Sequence, residues 1–244
     1  MHFAKTVLMT AILAATANFS VQAAEEPASP FTFSSNVGFT NNYIYRGISQ
    51  TDKKMALQGG FDIAHEKGFS LGVWGSSVKF LEPNTVAESD RAHVEVDIYG
   101  GYTGKIRDDL NYTVGFIHYA YPNSGKDLHY AFTEGNVGLN YTYKDLDLGV
   151  KYSYSPEFFG KVGKASYYEL NAGYKLPHNL SLVAHVARQQ FNNSALARSY
   201  TDYLLGLNYA LPQNFTVSLQ YVNTSLKDNE WAKSQFVAMI KKTF

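Results

Sequence analysis

From Val137 to Tyr154 the sequence alternates apolar and polar residues with a period of two, and no other stretch constrains the fold as strongly. One parity reads Val137, Leu139, Tyr141, Tyr143 and resumes after Lys144-Asp145 as Leu146, Leu148, Val150, Tyr152, Tyr154. The other carries Asn136, Gly138, Asn140, Thr142, Asp147, Gly149, Lys151 and Ser153. Successive side chains of a strand point to opposite faces, so alternation on both sides of a tight polar turn predicts an antiparallel hairpin. Two environments fit it. In a soluble sandwich or lipocalin-like barrel the apolar face is the core and the polar face meets bulk water. In a membrane barrel the apolar face meets lipid and the polar face a wet interior.

The N-terminus helps to decide. Lys5, an apolar run from Val7 to Ala17 and the small-residue site Val21-Gln22-Ala23 read as a cleaved export signal over 1–23. A run of roughly 11 apolar residues is too short for the ~20 that a spanning helix needs. Elsewhere no run approaches ~18 apolar residues, so a membrane location would require strands. Lys plus Arg and Asp plus Glu number 21 each, which gives no reason to expect a nucleic-acid partner. Losing Lys5 with the signal leaves 21 − 1 = 20 basic side chains, still close to neutral. With no cysteine, an exported fold relies on its strand ladder rather than on disulfides.

After a short periplasmic linker (24–32), a barrel domain is expected over 33–244. The same alternation predicts strands at about 33–45, 57–63, 69–76, 94–102, 112–116, 137–143, 146–154, 168–174, 182–186, 203–209, 215–221 and 231–244. Long polar links at 47–54, 81–91, 121–129 and 155–163 alternate with tight turns at 65–68, 104–109, 177–179 and 212–214. An even strand number with long and short connections in turn is the plan of a twelve-stranded antiparallel transmembrane β-barrel of the bacterial outer membrane. Only helices and closed barrels satisfy every backbone group in lipid, so the last strand must pair with the first. Tyr43/Tyr45, Tyr119/Tyr121, Tyr141/Tyr143, Tyr152/Tyr154, Tyr209 and Tyr221 read as two aromatic girdles at the lipid boundary. The plainer explanation is that aromatics favour strands anyway. Phe244, at the end of the last strand, resembles the terminal aromatic signature read by the barrel-assembly machinery.

The block Ser35-Asn36-Val37-Gly38-Phe39 through Tyr43-Ile44-Tyr45-Arg46-Gly47-Ile48-Ser49-Gln50-Thr51 carries a family resemblance, together with Gln58-Gly59-Gly60-Phe61-Asp62, 68–77, 95–101 and Tyr119-Ala120-Tyr121-Pro122. It resembles the proteobacterial family of TorF-type porins, a conserved outer-membrane family of unknown substrate. The similarity is densest from about 34 to 122 and weaker beyond. It implies an outer-membrane barrel and supplies no catalytic or substrate-binding residue.

By parity the lumen receives Asp62, Glu95, Asp97, Glu134, Asp147, Glu169 and Asp202, with Arg46, Lys151, Lys175, Lys233, Lys241 and His185. Trp74 and Tyr99 point inward and narrow it. These charges read either as a cross-braced wet interior or as a field that weakly selects cations or neutral solutes. Arg46 lies at the mouth of the first long link, where it serves as a brace or as a bidentate anion contact. The rim cations Lys53, Lys54, Lys126, Lys161, Lys164 and Arg198 would face lipopolysaccharide. About eight strands give a filled interior and about 16 to 18 an open channel, so twelve leaves conduction open.

The function expected is therefore a porin, passing small hydrophilic solutes by passive diffusion. The alternative is a non-conducting structural or adhesive barrel. A lipid hydrolase would need a serine beside His185, and no nucleophile signature accompanies that histidine. No enzyme activity, cofactor or metal is expected, since His65, His118, His129 and His178 lack ligand spacing. The expected partners are outer-membrane lipid and lipopolysaccharide, the assembly machinery and small solutes.

Overall fold

The computed structural model describes residues 29–80 and 86–244. The signal expected over 1–23, most of the linker and part of the link over 81–91 lie outside the described residues. Twelve strands form the wall: β1 (Phe31–Thr40), β2 (Ala56–His65), β3 (Phe69–Ser77), β4 (Val94–Arg107), β5 (Leu110–Ala120), β6 (Phe132–Tyr143), β7 (Leu146–Ser155), β8 (Ala165–Lys175), β9 (Leu180–Phe191), β10 (Tyr200–Leu211), β11 (Phe215–Thr224) and β12 (Gln235–Thr243). Each pairs antiparallel with its neighbours in sequence, and β1 pairs with β12, so the sheet closes on itself. Closure removes both edges and leaves no strand with an unpaired flank.

The alternation now has a physical meaning. Leu57, Phe61, Leu71, Ile98, Val114, Leu139, Val150, Leu170, Leu205 and Leu219 point away from the barrel axis and are largely exposed. An apolar belt that runs round the whole molecule suits hydrocarbon and not water. The opposite parity buries Ser34, Asn36, Gln58, Ser76, Ser153 and Ser155 against the interior.

Aromatic belts form at both ends of the wall, with membership that differs from the expected one. Tyr143, Tyr174 and Tyr209 are exposed at the short-turn end, where Phe69, Tyr102 and Tyr112 stand in a contiguous row. Tyr168, Tyr203, Tyr221 and Phe236 mark the long-loop end. Tyr43, Tyr119 and Tyr121 are instead buried inside the barrel, and Tyr45 packs with them. Two other boundaries shift. The expected turn over 104–109 is strand as far as Arg107, with a register irregularity between Lys105 and Arg107 that absorbs the extra residues. The last strand begins at Gln235, because Asn229 accepts from the Trp231 N–H and caps a short 3-10 turn over Glu230–Ala232. Lys233 therefore sits on a loop, half exposed and paired with Glu230, rather than in the lumen.

Short turns connect the strands at one end. The turn after β2 depends on Gly68 (φ 97°), where a Cβ would lie 2.3 Å from the Thr103 carbonyl oxygen. Only glycine fits a left-handed residue in that contact. At the seam, β1 and β12 share five paired positions, from Asn36↔Thr243 to Thr40↔Met239. The Asn41 side chain lengthens this ladder: its Oδ1 accepts from Ala238 N–H at 2.8 Å and its Nδ2 donates to the Phe236 carbonyl at 3.2 Å.

Candidate functional site

Beyond Asn41 the chain turns into the lumen. The segment 41–55, expected as strand and then surface loop, crosses the inside of the barrel near its long-loop end. The loop is braced internally by a miniature ladder in which Ile44–Tyr45 pairs with Ile48–Ser49. Ser49 Oγ donates to Asn42 Oδ1 at 2.6 Å, and Gln50 N–H donates to the Tyr43 carbonyl at 2.7 Å. Two adjacent residues near its start reach different parts of the wall. Asn42 Nδ2 donates to Gln235 Oε1 on β12 at 2.7 Å. Tyr43 Oη donates to Glu95 Oε1 on β4 at 2.7 Å, and its ring meets Trp74 of β3 edge-on at 5.4 Å. Burial, reinforced by the nearby carboxylates of Glu95 and Asp97, pushes the Tyr43 phenol well above its ordinary range and keeps it a donor.

Ile44 faces the other side, against a small dry patch made by Val183, Leu204, Val222 and Val237. These four residues occupy lumen-facing positions of β9, β10, β11 and β12, so one sector of the inner wall is apolar. Gly47 (φ 81°) passes so close to the wall that a Cβ would lie 2.4 Å from Thr224 Cγ2 and 2.8 Å from Asp202 Cβ.

Arg46 lies at the centre of the crossing. Its Nη2 donates to Glu134 Oε2 on β6 at 2.6 Å and its Nη1 to Gln189 Oε1 on β9 at 2.8 Å. The guanidinium carbon stands 4.0 Å from the Tyr167 ring centroid, 4.9 Å from Tyr45 and 5.8 Å from Phe158. A planar, weakly hydrated cation suits aromatic faces on either side and a carboxylate in its plane. The arginine is thus a brace rather than a free anion contact.

The remaining expected lumen residues divide by height. Near the long-loop end, Glu95 and Asp97 are each 1% exposed, and Asp97 Oδ1 has no hydrogen-bond partner in the protein. Asp202 accepts from Tyr167 Oη at 3.0 Å and faces His185 Nε2 at 2.9 Å, while His185 Nδ1 faces Asn171 Oδ1 at 2.7 Å. The hydroxyl beside His185 is phenolic. Toward the short turns, Lys151 faces Glu169 at 3.4 Å in register across β7 and β8. Asp62 accepts from Tyr99 Oη at 2.6 Å with Lys241 acting on it from β12. Asp147 accepts from Thr142 Oγ1 at 2.7 Å, and Lys175 ends β8 on the same inward parity. The Lys151 side chain is 37% exposed although it points inward, so this half of the interior is open to solvent. Three acids and three lysines balance there. The other half sets Glu95, Asp97, Glu134 and Asp202 against Arg46 and His185.

Sequence reasoning missed Gln189, Tyr167 and the apolar patch. Signals existed: Val183 and Leu204 break the polar parity of their strands, and Gln189 shares the inward parity of His185. Phe244 pairs through its backbone with Ser35, and its ring is exposed on the outer surface.

A family model described as "Bacterial protein of unknown function (Gcw_chp)" matches residues 24–244. The chain belongs to this family. No curated protein matches the sequence. Among solved structures, the KdgM porin superposes with a TM-score of 0.60 at 9% identity, covering 87% of this chain and 99% of that one. The same porin solved in complex with disordered oligogalacturonate gives a TM-score of 0.60 at 11% identity, with the same coverage. The NanC porin superposes at 0.56 and 12% identity, covering 87% of this chain and 98% of that one. At these identities the likeness is one of fold, that of a closed antiparallel barrel.

Proposed function

We propose that this member of the Gcw_chp family is an outer-membrane porin through which small hydrophilic solutes diffuse, and that segment 41–55 forms its constriction. The observation that carries this reading is the radial inversion of polarity. Hydrocarbon-compatible residues cover the outside, and an ion-paired interior, wet in its short-turn half, lies within a closed wall. The finer resemblance to TorF-type porins and the fold shared with the KdgM and NanC porins support it. So does the signal-like segment at 1–23, which suits export to the outer membrane.

A second reading draws on the fit of segment 41–55 against most of the wall: a non-conducting barrel with a structural or adhesive role. Planar-bilayer recording of the refolded protein separates the two. Stepwise openings are expected; a silent membrane from protein shown to be folded and inserted would overturn the porin reading in favour of the closed barrel.

A further inference from the structure

The place where segment 41–55 is fastened to the wall has the form of a ligand site already filled. Glu134 and Gln189 accept from the two terminal nitrogens of Arg46, while Tyr167 and Tyr45 offer their faces and Phe158 stands beyond. Glu134 and Gln189 are almost wholly buried, at 2% and 0% exposure. Such a box recognises a guanidinium by shape, charge and ring contact together. Only Tyr45 travels with Arg46 on the loop; Glu134, Gln189 and Tyr167 belong to the wall.

One further observation points to a cation. Glu95 and Asp97 project from β4 on the same inward parity, and Tyr119 lies opposite Asp97 on β5 and donates to Glu134 at 3.4 Å. Among the described residues neither Glu95 nor Asp97 has a basic side chain within ion-pairing distance, and one Asp97 oxygen is buried without a protein partner. An unmatched buried carboxylate is costly and is neutralised by a proton unless a cation joins it, so these two acids could ionise to meet a cation beyond the one that Arg46 supplies. Arg46 and Gly47, with φ 48° and 81°, are the two central residues of the turn joining Ile44–Tyr45 to Ile48–Ser49, and a two-residue hairpin turn of this kind places both in the left-handed region. The arginine thus stands at the tip of the loop's own small hairpin, which presents its guanidinium to the socket.

We infer that the Glu134–Gln189–Tyr167–Tyr45 socket is a binding site for guanidinium and related alkylammonium groups, that Arg46 occupies it as a tethered occupant, and that solutes bearing such groups compete with it. This deepens the porin reading by naming a solute class, and it rests on that reading only for the passage of the solute. The binding itself does not.

Chemical rescue tests it. R46A is refolded in detergent micelles and its thermal midpoint followed with millimolar methylguanidinium, with urea as the neutral isostere. Methylguanidinium should restore at least half of the midpoint lost by R46A, urea should restore none, and R46A/E134Q should show no rescue. Where R46A does not fold, R46Q, which retains a polar partner for Gln189, takes its place. Absence of rescue, or equal rescue in the variant that lacks the Glu134 carboxylate, would overturn the proposal. In planar bilayers, methylguanidinium should raise wild-type conductance while glutamate at the same concentration should not. Rescue in micelles with a silent bilayer would uphold the socket and remove the pore; a conducting barrel without rescue would do the reverse.

Discussion

Arg46 and Glu134 meet at 2.6 Å with both side chains nearly sealed from solvent, joining a loop from the start of the barrel to a strand halfway round it. Each charge is tolerable there only because the other is present. Removing one partner of a buried pair typically costs about 3–5 kcal/mol, since an uncompensated charge remains, whereas replacing both by apolar groups costs far less. R46A and E134A should each lower unfolding stability on that scale, and R46M/E134L should be less destabilised than either. Urea titration in micelles, followed by heat-dependent gel mobility, measures this.

Gly47 sets how deeply the loop can lie. Its positive φ alone makes a larger residue unfavourable by about 1–3 kcal/mol, and the contact with Thr224 and Asp202 adds a direct collision. Gly47→Val is expected to lift segment 41–55 off β10 and β11 while the wall stays closed. The measurable outcome is a larger single-channel conductance than wild type, with unchanged strand content by circular dichroism.

Leu219 and Ser218 are adjacent in β11 and face opposite media. Leu219→Arg places a charge against hydrocarbon and should cost about 2–4 kcal/mol near mid-bilayer. Ser218→Lys puts its charge in the wet interior and should cost much less. Folded fractions in lipid vesicles, read from gel mobility without boiling, compare the pair; a greater loss from Ser218→Lys than from Leu219→Arg would mean that the two faces had been assigned the wrong way round.

Asn41 is expected to matter out of proportion to its size. Asn41→Ala leaves the Ala238 N–H and the Phe236 carbonyl without their side-chain partners on the exposed face of the seam, at about 0.5–1.5 kcal/mol for each hydrogen bond lost. Amide hydrogen exchange at Ala238 should accelerate by about tenfold, with no comparable change at Leu219.

The outer surface was legible in the sequence because lipid imposes a strict rule on one parity. Leu139, Val150, Leu205 and Leu219 obey it, and the strand count with its alternation of long and short links followed. The inner surface obeys no comparable rule. Tyr43 and Tyr45 continue the odd parity of Val37 and Phe39, so alternation alone extends β1 through them; only Asn41-Asn42 and Gly47 hint that the chain has left the wall. Tyr119 and Tyr121 were misassigned because an aromatic residue suits a lipid boundary and a packed interior equally well. The charged interior positions were readable from parity. Their partners were not, because pairing across a barrel depends on the shear and on the path of the loop. Arg46 and Gln189 are 143 residues apart, and no local pattern joins them.

The inward loop also bears on the order of assembly. Segment 41–55 is made before nearly all of the wall that receives it, yet its fastenings to Glu95, Glu134, Gln189 and Gln235 span sequence separations of 52, 88, 143 and 193 residues. Contacts this distant form late, because the intervening chain must be ordered first. Until β4, β6 and β9 arrive, the loop has only its own small ladder to hold it, and the nascent cylinder must mature around an occupant that is locked in one fastening at a time.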